Sequence, residues 1–205
     1  MNTDVKHLKK KAVSGLIWTF ADLFINQGLQ FFIQIILARL LLPDDFGLIG
    51  MITIIIAISN SIIDSGFANA LIREKEVDNK DYSTIFLFNL VMSIIIYIII
   101  YIAAPLISDF YNEVKLIKIL RVLSITIIIN SFGIVQRTIL TKKIDFKTQT
   151  KINVISSLFS GVVAIILALS GLGVWSLVYR NIIQSVIQSG LLMISNKWIP
   201  NLYFD

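Results

Sequence analysis

One uninterrupted apolar segment constrains the fold more than any other part of this sequence. Residues 85–107 read IFLFNLVMSIIIYIIIYIAAPLI, with no charged residue and only Asn89 and Ser93 as clearly polar interruptions. An α-helix of about 20 apolar residues, at a rise of roughly 1.5 Å per residue, crosses the hydrocarbon core of a bilayer, about 30 Å thick. The segment therefore predicts a membrane-spanning helix.

Further apolar segments of similar length lie on both sides of it. The six predicted spans cover residues 13–40, 46–72, 85–107, 116–136, 152–170 and 174–194. The mean hydropathy is +0.82, and 15% of residues are charged, whereas about a quarter are charged in a typical soluble domain. The predicted fold class is all-α: a polytopic membrane protein built as a bundle of six transmembrane helices.

The composition also argues against several kinds of chemistry. The chain has no cysteine and a single histidine, His7, at the polar N-terminus, so we expect no metal site and no cofactor. No phosphate-binding loop of the form G-x-x-x-x-G-K-[ST] is present, which argues against ATP as the energy source. The basic residues lie at the ends of spans rather than on one soluble face, so we expect no nucleic-acid partner.

The distribution of lysine and arginine among the connections predicts the orientation. Three basic residues fall on one side of the six spans: Lys115, Lys118 and Arg121. Thirteen fall on the other side, in the N-terminal segment, the loops 73–83 and 137–151 and the C-terminal segment: Lys6, Lys9, Lys10, Lys11, Arg73, Lys75, Lys80, Arg137, Lys142, Lys143, Lys147, Lys151 and Lys197. By the positive-inside rule the thirteen face the cytoplasm, and so do both termini.

Polar side chains recur at helical spacing inside two of the spans. Span one has a stripe with one polar residue every four positions: Asp22, Asn26, Gln30 and Gln34. Span six repeats the pattern with Arg180, Gln184 and Gln188. A single amide can serve as a hydrogen bond between helices, but two stripes in register favour a hydrated cavity, because an ionised group at the bilayer centre costs at least about 2.5–3.5 kcal/mol. Other polar positions within spans are Asn60, Asp64, Asn130 and Asn153.

Two features of the spans have a simpler structural interpretation. Arg39 lies near the outer end of span one, where its side chain could extend to the interface without any role in binding. Span five has a stripe of small residues: Ser156, Ser160, Ala164 and Ala168. Small residues let helix backbones approach closely in a membrane, so we expect close packing of another helix here.

Four segments together resemble a known family. They are ILARLLLPDDFGLIGMITI, SIIDSGFANALIREKEVDNKDYSTIFLFN, APLISDFYNEVKLIKILRVLSITIIINSFGIVQRTILTKKIDFKTQTK and GLGVWSLVYRNIIQS. In this order they are similar to the N-terminal half of bacterial polysaccharide flippases, the Wzx-type lipopolysaccharide and O-antigen exporters of the multidrug/oligosaccharidyl-lipid/polysaccharide superfamily. The family has two six-helix lobes around a central cavity, so the resemblance implies that residues 1–205 are the N-terminal lobe.

The function implied by this resemblance is translocation of an undecaprenyl-pyrophosphate-linked oligosaccharide from the cytoplasmic to the periplasmic leaflet of the bacterial inner membrane. For the substrate cavity we expect seven residues: Asp22, Asn26, Gln30, Gln34, Arg39, Arg180 and Gln184. Arginines suit the pyrophosphate, and the polar stripe suits the sugar. Asp22 and Asp64 are candidates for coupling transport to a proton or sodium gradient.

The expected partners follow from the same resemblance. They are the lipid-linked oligosaccharide, membrane lipids, a missing C-terminal lobe or a second copy of the chain, and, as a further candidate, polysaccharide polymerase machinery. The chain is expected to be a fragment of a longer protein or a half-transporter that must pair.

Three alternatives remain open from the sequence. A multidrug or cation antiporter of the same superfamily would use the same bundle, and an isolated lobe could be a non-transporting scaffold. A membrane enzyme would need a carboxylate or histidine cluster at an interface. The one acidic cluster is Glu74, Glu76, Asp78 and Asp81, which has no histidine nearby and is typical of a solvated loop. We therefore expect no enzymatic activity.

The absence of cysteine makes the predicted orientation directly testable. Asn79→Cys, Lys143→Cys and Asn112→Cys can each be introduced into the natural sequence and probed with an impermeant thiol reagent in intact cells. Asn112→Cys should be labelled readily, whereas the other two should react only after the membrane is permeabilised, because they lie on the basic side. Labelling of Lys143→Cys from outside would contradict the orientation.

Overall fold

The computed structural model describes residues 2–64, 66–74 and 77–200 of the chain. Lys75, Glu76 and residues 201–205 lie outside this described part, as do the side chains of residues 2–12, which include His7 and four of the lysines counted above. The described residues form eight helices: α1 (Asn2–Leu40), α2 (Pro43–Asp64), α3 (Phe67–Arg73), α4 (Asn79–Tyr111), α5 (Lys115–Leu123), α6 (Ile125–Lys142), α7 (Phe146–Leu169) and α8 (Val174–Asn196).

The predicted all-α membrane fold is confirmed. Five stretches are long and apolar enough to cross a membrane: Val13–Leu40, Pro43–Asp64, Asn79–Tyr111, Lys115–Lys142, which combines α5 and α6, and Phe146–Leu169. The helix α8 has 23 residues but is not among them, since its polar stripe lowers its mean hydropathy. That α8 is the sixth span remains a prediction.

The structure differs from the sequence-based expectation in three places. The expected span 116–136 is formed by two helices, since α5 ends at Leu123 and α6 begins at Ile125. The expected span 46–72 is divided, because α2 ends at Asp64 and α3 begins at Phe67 after Gly66, whose φ is +80°. This left-handed conformation is accessible to glycine at little cost. The expected loop 137–151 contains only residues 143–145, since α6 continues to Lys142 and α7 begins at Phe146.

The main hydrophobic core joins α2 to helices α4, α5, α6 and α8. Fully buried side chains from α2 include Ile52 and Ile63, which pack with Leu120 of α5, Ile127 of α6 and Val178 of α8. The first helix belongs to a different cluster. It packs mainly against α7, so α1 and α2 have different main partners even though they are neighbours in sequence.

Small residues of α7 hold α1 close, as the sequence predicted. The residues of the predicted stripe, Ser156, Ser160, Ala164 and Ala168, are all buried. Ala164 and Ala168 pack with Leu37 of α1. At Gly161 the helices approach closely, because a Cβ atom placed there would lie 2.2 Å from Cδ1 of Ile33. The expected close packing is thus confirmed, and α1 is the partner of Ala164 and Ala168.

Two connections tie the remaining segments to α6. The Lys142 Nζ donates hydrogen bonds to the carbonyl oxygens of Leu71 (3.2 Å) and Glu74 (2.8 Å), which lie at and just after the end of α3. After α8, the indole N–H of Trp198 donates to Asn79 Oδ1. The Gln136 amide of α6 donates to the Trp198 carbonyl oxygen at 3.1 Å.

The contact between Gly161 and Ile33 predicts a stability effect. Gly161→Ala should lower the free energy of unfolding by about 1–3 kcal/mol, because the added methyl group overlaps Ile33. Gly28→Ala in α1, where no atom lies within 4 Å of the added Cβ, is the matched control and should cause no loss. Thermal unfolding of the detergent-solubilised protein measures both, and Ile33→Ala should relieve part of the Gly161→Ala defect. An unchanged midpoint for Gly161→Ala would contradict the close α1–α7 contact.

Candidate functional site

Two adjoining cavities lie between α2, α6 and α8, and α1 contributes to the wall of one of them. The first, named here the Arg180 cavity, has a volume of about 430 Å³. Its walls come from α1, α2 and α8, with one contribution from α6. Its lining residues are Gln30, Gln34, Phe46, Ile49, Thr53, Asn130, Leu177, Arg180, Asn181, Gln184, Ser185 and Gln188. Among these residues Arg180 alone is ionisable, so the cavity offers one cation surrounded by amides and hydroxyls.

The second cavity, named here the Arg137 cavity, has a volume of about 480 Å³. It is lined by α2, α3, α6 and α8. Its lining residues are Asn60, Ser61, Asp64, Ala68, Ile72, Asn130, Gly133, Ile134, Arg137, Thr138, Thr141, Gln188, Ser189 and Leu192. Asn130 and Gln188 line both cavities, so the two adjoin and form one polar groove. Each half is within the size range of small-molecule sites, about 300–1,000 Å³.

Arg180 is the least compensated polar group of the groove. Its side chain is half-buried, and its Nε is buried with no hydrogen-bond partner in the described part of the chain. Among the residues that the structure describes, no carboxylate lines the Arg180 cavity. An arginine in this setting has free donors for a planar anionic group, since a guanidinium binds phosphate and carboxylate oxygens in pairs.

A second polar cluster connects α1 to the groove through α7. The Nδ2 of Asn153 donates to both oxygens of Asp22, at 3.3 and 3.1 Å. The Oδ1 of Asn153 accepts from Arg137 Nη2 at 3.3 Å and from Gln188 Nε2 at 2.6 Å. Asn26 Nδ2 completes the cluster with a 2.5 Å hydrogen bond to Asp22 Oδ1. One amide therefore contacts polar side chains of α1, α6 and α8.

The structure distributes the predicted site residues over different surroundings. Gln30, Gln34, Arg180 and Gln184 line one cavity together. Asp22 and Asn26 lie in the Asn153 cluster, and Asp64 is exposed at the edge of the Arg137 cavity.

Arg39 stands apart from this arrangement. Its side chain is exposed near the end of α1, and it lines neither of the two cavities described above. The groove's second cation is Arg137 instead.

Arg137 was missed because the lysines that follow it suggested a loop. Its helical spacing was nevertheless visible: Asn130, Arg137 and Thr141 recur at intervals of seven and four residues, which places them on one face of a helix. The orientation signal survives this correction, because the twelve other basic residues on that side still exceed the three on the opposite side.

Comparison with known proteins identifies the family. A family model described as "Polysaccharide biosynthesis protein" matches residues 36–205. The chain is 27% identical over 139 residues to the lipopolysaccharide biosynthesis protein WzxC of Escherichia coli, covering 68% of the chain and 28% of the relative. It is 25% identical to the succinoglycan biosynthesis transport protein ExoT of Rhizobium meliloti, covering 96% of the chain and 40% of the relative.

A third relative is the teichuronic acid biosynthesis protein TuaB of Bacillus subtilis, 27% identical over 202 residues. This match covers 97% of the chain and 41% of the relative, so the chain spans less than half the length of these proteins. No solved structure matches the chain. The family match covers most of the chain and includes all of the described α2 to α8. The chain therefore belongs to the polysaccharide biosynthesis protein family.

Proposed function

We propose that this chain forms one lobe of a membrane carrier that moves a lipid-linked oligosaccharide from the cytoplasmic to the outer leaflet. The observation that carries this proposal is the polar groove, in which two guanidinium groups and several amides lie between helices of the membrane-spanning bundle. The names of the relatives support the class of substrate, because three different polysaccharides appear among them.

The groove's chemistry suits both polar parts of such a substrate. Arg180 and Arg137 can hold a phosphate by paired hydrogen bonds, while Gln30, Gln34 and Gln184 can donate to and accept from sugar hydroxyls. The lipid tail requires no polar site. It can remain in the bilayer beside the exposed apolar side chains of α1, such as Phe24 and Phe31.

The balance of charge favours an anionic substrate over a cationic drug. Of the described residues, two arginines and one carboxylate, that of Asp64, line the groove. A cation exporter needs the opposite balance, because an uncompensated arginine repels its substrate. Uptake of a fluorescent cationic dye by cells that produce the transporter separates the two functions.

The cellular setting belongs to the same proposal. The protein lies in the bacterial cytoplasmic membrane with both termini in the cytoplasm, and it acts as a transporter without enzymatic activity. The wall of the groove opposite α8 is supplied by a C-terminal lobe or a second copy of the chain. Asp22 and Asp64 remain the candidates for ion coupling.

Arg180 provides the test of this function. In a transporter that contains this lobe, Arg180→Ala should abolish glycan export by a flippase-null strain while the membrane level and thermal stability stay near those of the natural protein. Stability should be retained because Arg180 has no ion-pair partner to leave behind among the described residues. Arg180→Lys should restore part of the export, since a lysine still presents a point charge to phosphate.

Lys118→Ala is the matched control, because Lys118 is an exposed cation of α5 outside the groove. Export by this variant should equal that of the natural protein. If Arg180→Ala exports glycan normally, the proposed role of the groove is wrong. If it loses stability as well as export, Arg180 has a structural role instead.

A further inference from the structure

The side chain of Asn153 separates the acidic group of α1 from the basic group of α6. It donates to Asp22 through Nδ2 and accepts from Arg137 through Oδ1. In the described part of the chain, neither Asp22 nor Arg137 has an ion-pair partner within 4.0 Å. The two opposite charges are therefore linked through one neutral amide rather than by direct contact.

This arrangement matters because a direct ion pair would occupy the guanidinium. Two opposite unit charges in contact attract each other strongly at the effective dielectric constant of a partly buried site. An anion entering the Arg137 cavity would then have to displace Asp22. With the amide between them, the Arg137 side chain has a single hydrogen bond among the described residues, to Asn153 Oδ1. Its other donors can serve an anion in the cavity that it lines, while Asp22 still has a hydrogen-bond donor for each of its oxygens.

We propose that Asn153 is a positioning residue that keeps Arg137 available to the substrate's phosphate by holding the Asp22 carboxylate one amide away from it. This inference rests on the proposed function, since it names how that same groove keeps its second cation free. An amide suits the position, because it donates through Nδ2 on one side and accepts through Oδ1 on the other. Gln188 Nε2 donates to the same Oδ1 at 2.6 Å, so the amide is also fixed from the groove side.

A charge exchange between Asp22 and Asn153 isolates this role. The double variant Asp22→Asn/Asn153→Asp keeps the number of charges, the side-chain shapes and the hydrogen bond between the two positions. Asn26 still finds an acceptor oxygen at position 22, and Gln188 still finds one at position 153. What changes is that the carboxylate now occupies the place of the amide oxygen that contacts Arg137.

The probe is inorganic pyrophosphate, and the measurement is its dissociation constant for the full 205-residue chain in detergent by isothermal titration calorimetry. The exchange should weaken binding about tenfold, the lower end of what an adjacent opposite charge does to an ionic equilibrium. The unfolding midpoint should stay near that of the natural chain. A purely structural role for Asn153 would leave pyrophosphate affinity unchanged, because the exchange preserves the hydrogen bonds.

The matched control is Asp109→Asn/Asn112→Asp, which exchanges the same two residue types at the exposed end of α4, away from the groove. It should leave pyrophosphate binding unchanged. Arg137→Ala should weaken binding at least as much as the exchange does, and adding the exchange to Arg137→Ala should have no further effect, because the carboxylate acts through Arg137.

The outcomes distinguish this inference from the proposed function. If the exchange binds pyrophosphate as tightly as the natural chain while Arg180→Ala weakens binding, the inference about Asn153 is overturned and the proposed function stands. The inference is also overturned if the exchange combined with Arg137→Ala binds pyrophosphate more weakly than Arg137→Ala alone. If the natural chain does not bind pyrophosphate at all, the inference about Asn153 is overturned, and glycan export with Arg180→Ala decides the proposed function separately.

Discussion

Polar side chains in a membrane-spanning helix must contact protein or water, because hydrocarbon offers them no hydrogen-bond partner. This constraint organises the bundle. The polar stripe of α1 cannot face lipid, and the small residues of α7 draw α1 to one side at Gly161 and Ile33. The second helix is held elsewhere, by the core that it shares with α4, α5, α6 and α8. The groove lies between α2, α6 and α8, and α1, which packs on α7, supplies one side of the Arg180 cavity.

Much of this arrangement could be predicted from the sequence, because the patterns involved are local. The apolar segments predicted the helices, and the stripe of small residues in α7 predicted the close packing of another helix. The stripes of α1 and α8 predicted polar faces, and the structure places Gln30, Gln34, Arg180 and Gln184 around one cavity. The sequence patterns did not show which helices would pack together. That depends on contacts between residues far apart in sequence, such as the hydrogen bond from Asn153 to Asp22.

The errors also have physical causes. The expected single span 46–72 did not allow for a left-handed residue, yet Gly66 takes a φ of +80° and separates α2 from α3. Arg137 was assigned to a loop because charge density was used as the boundary, whereas α6 continues for five more residues. The helix α8 is a different case: the span 174–194 was predicted, but its polar stripe, which supplies one wall of the groove, lowers its mean hydropathy, and its place as the sixth span stays a prediction.

The hydrogen bonds from Lys142 determine which helix α3 would follow if the bundle changed shape. The ammonium group holds the carbonyl oxygens of Leu71 and Glu74, while on the other side α3 is joined to α2 through Gly66, around which no atom lies within 4 Å of an added Cβ. A tilt of α2 away from α6 would therefore turn the chain at Gly66 before it broke the contacts of Lys142. Ala68 and Ile72 would stay with α6, and the Arg137 cavity would widen along its α2 side, where Asn60 and Asp64 lie. In such a movement α3 would stay fixed to α6, and α2 would pivot at Gly66.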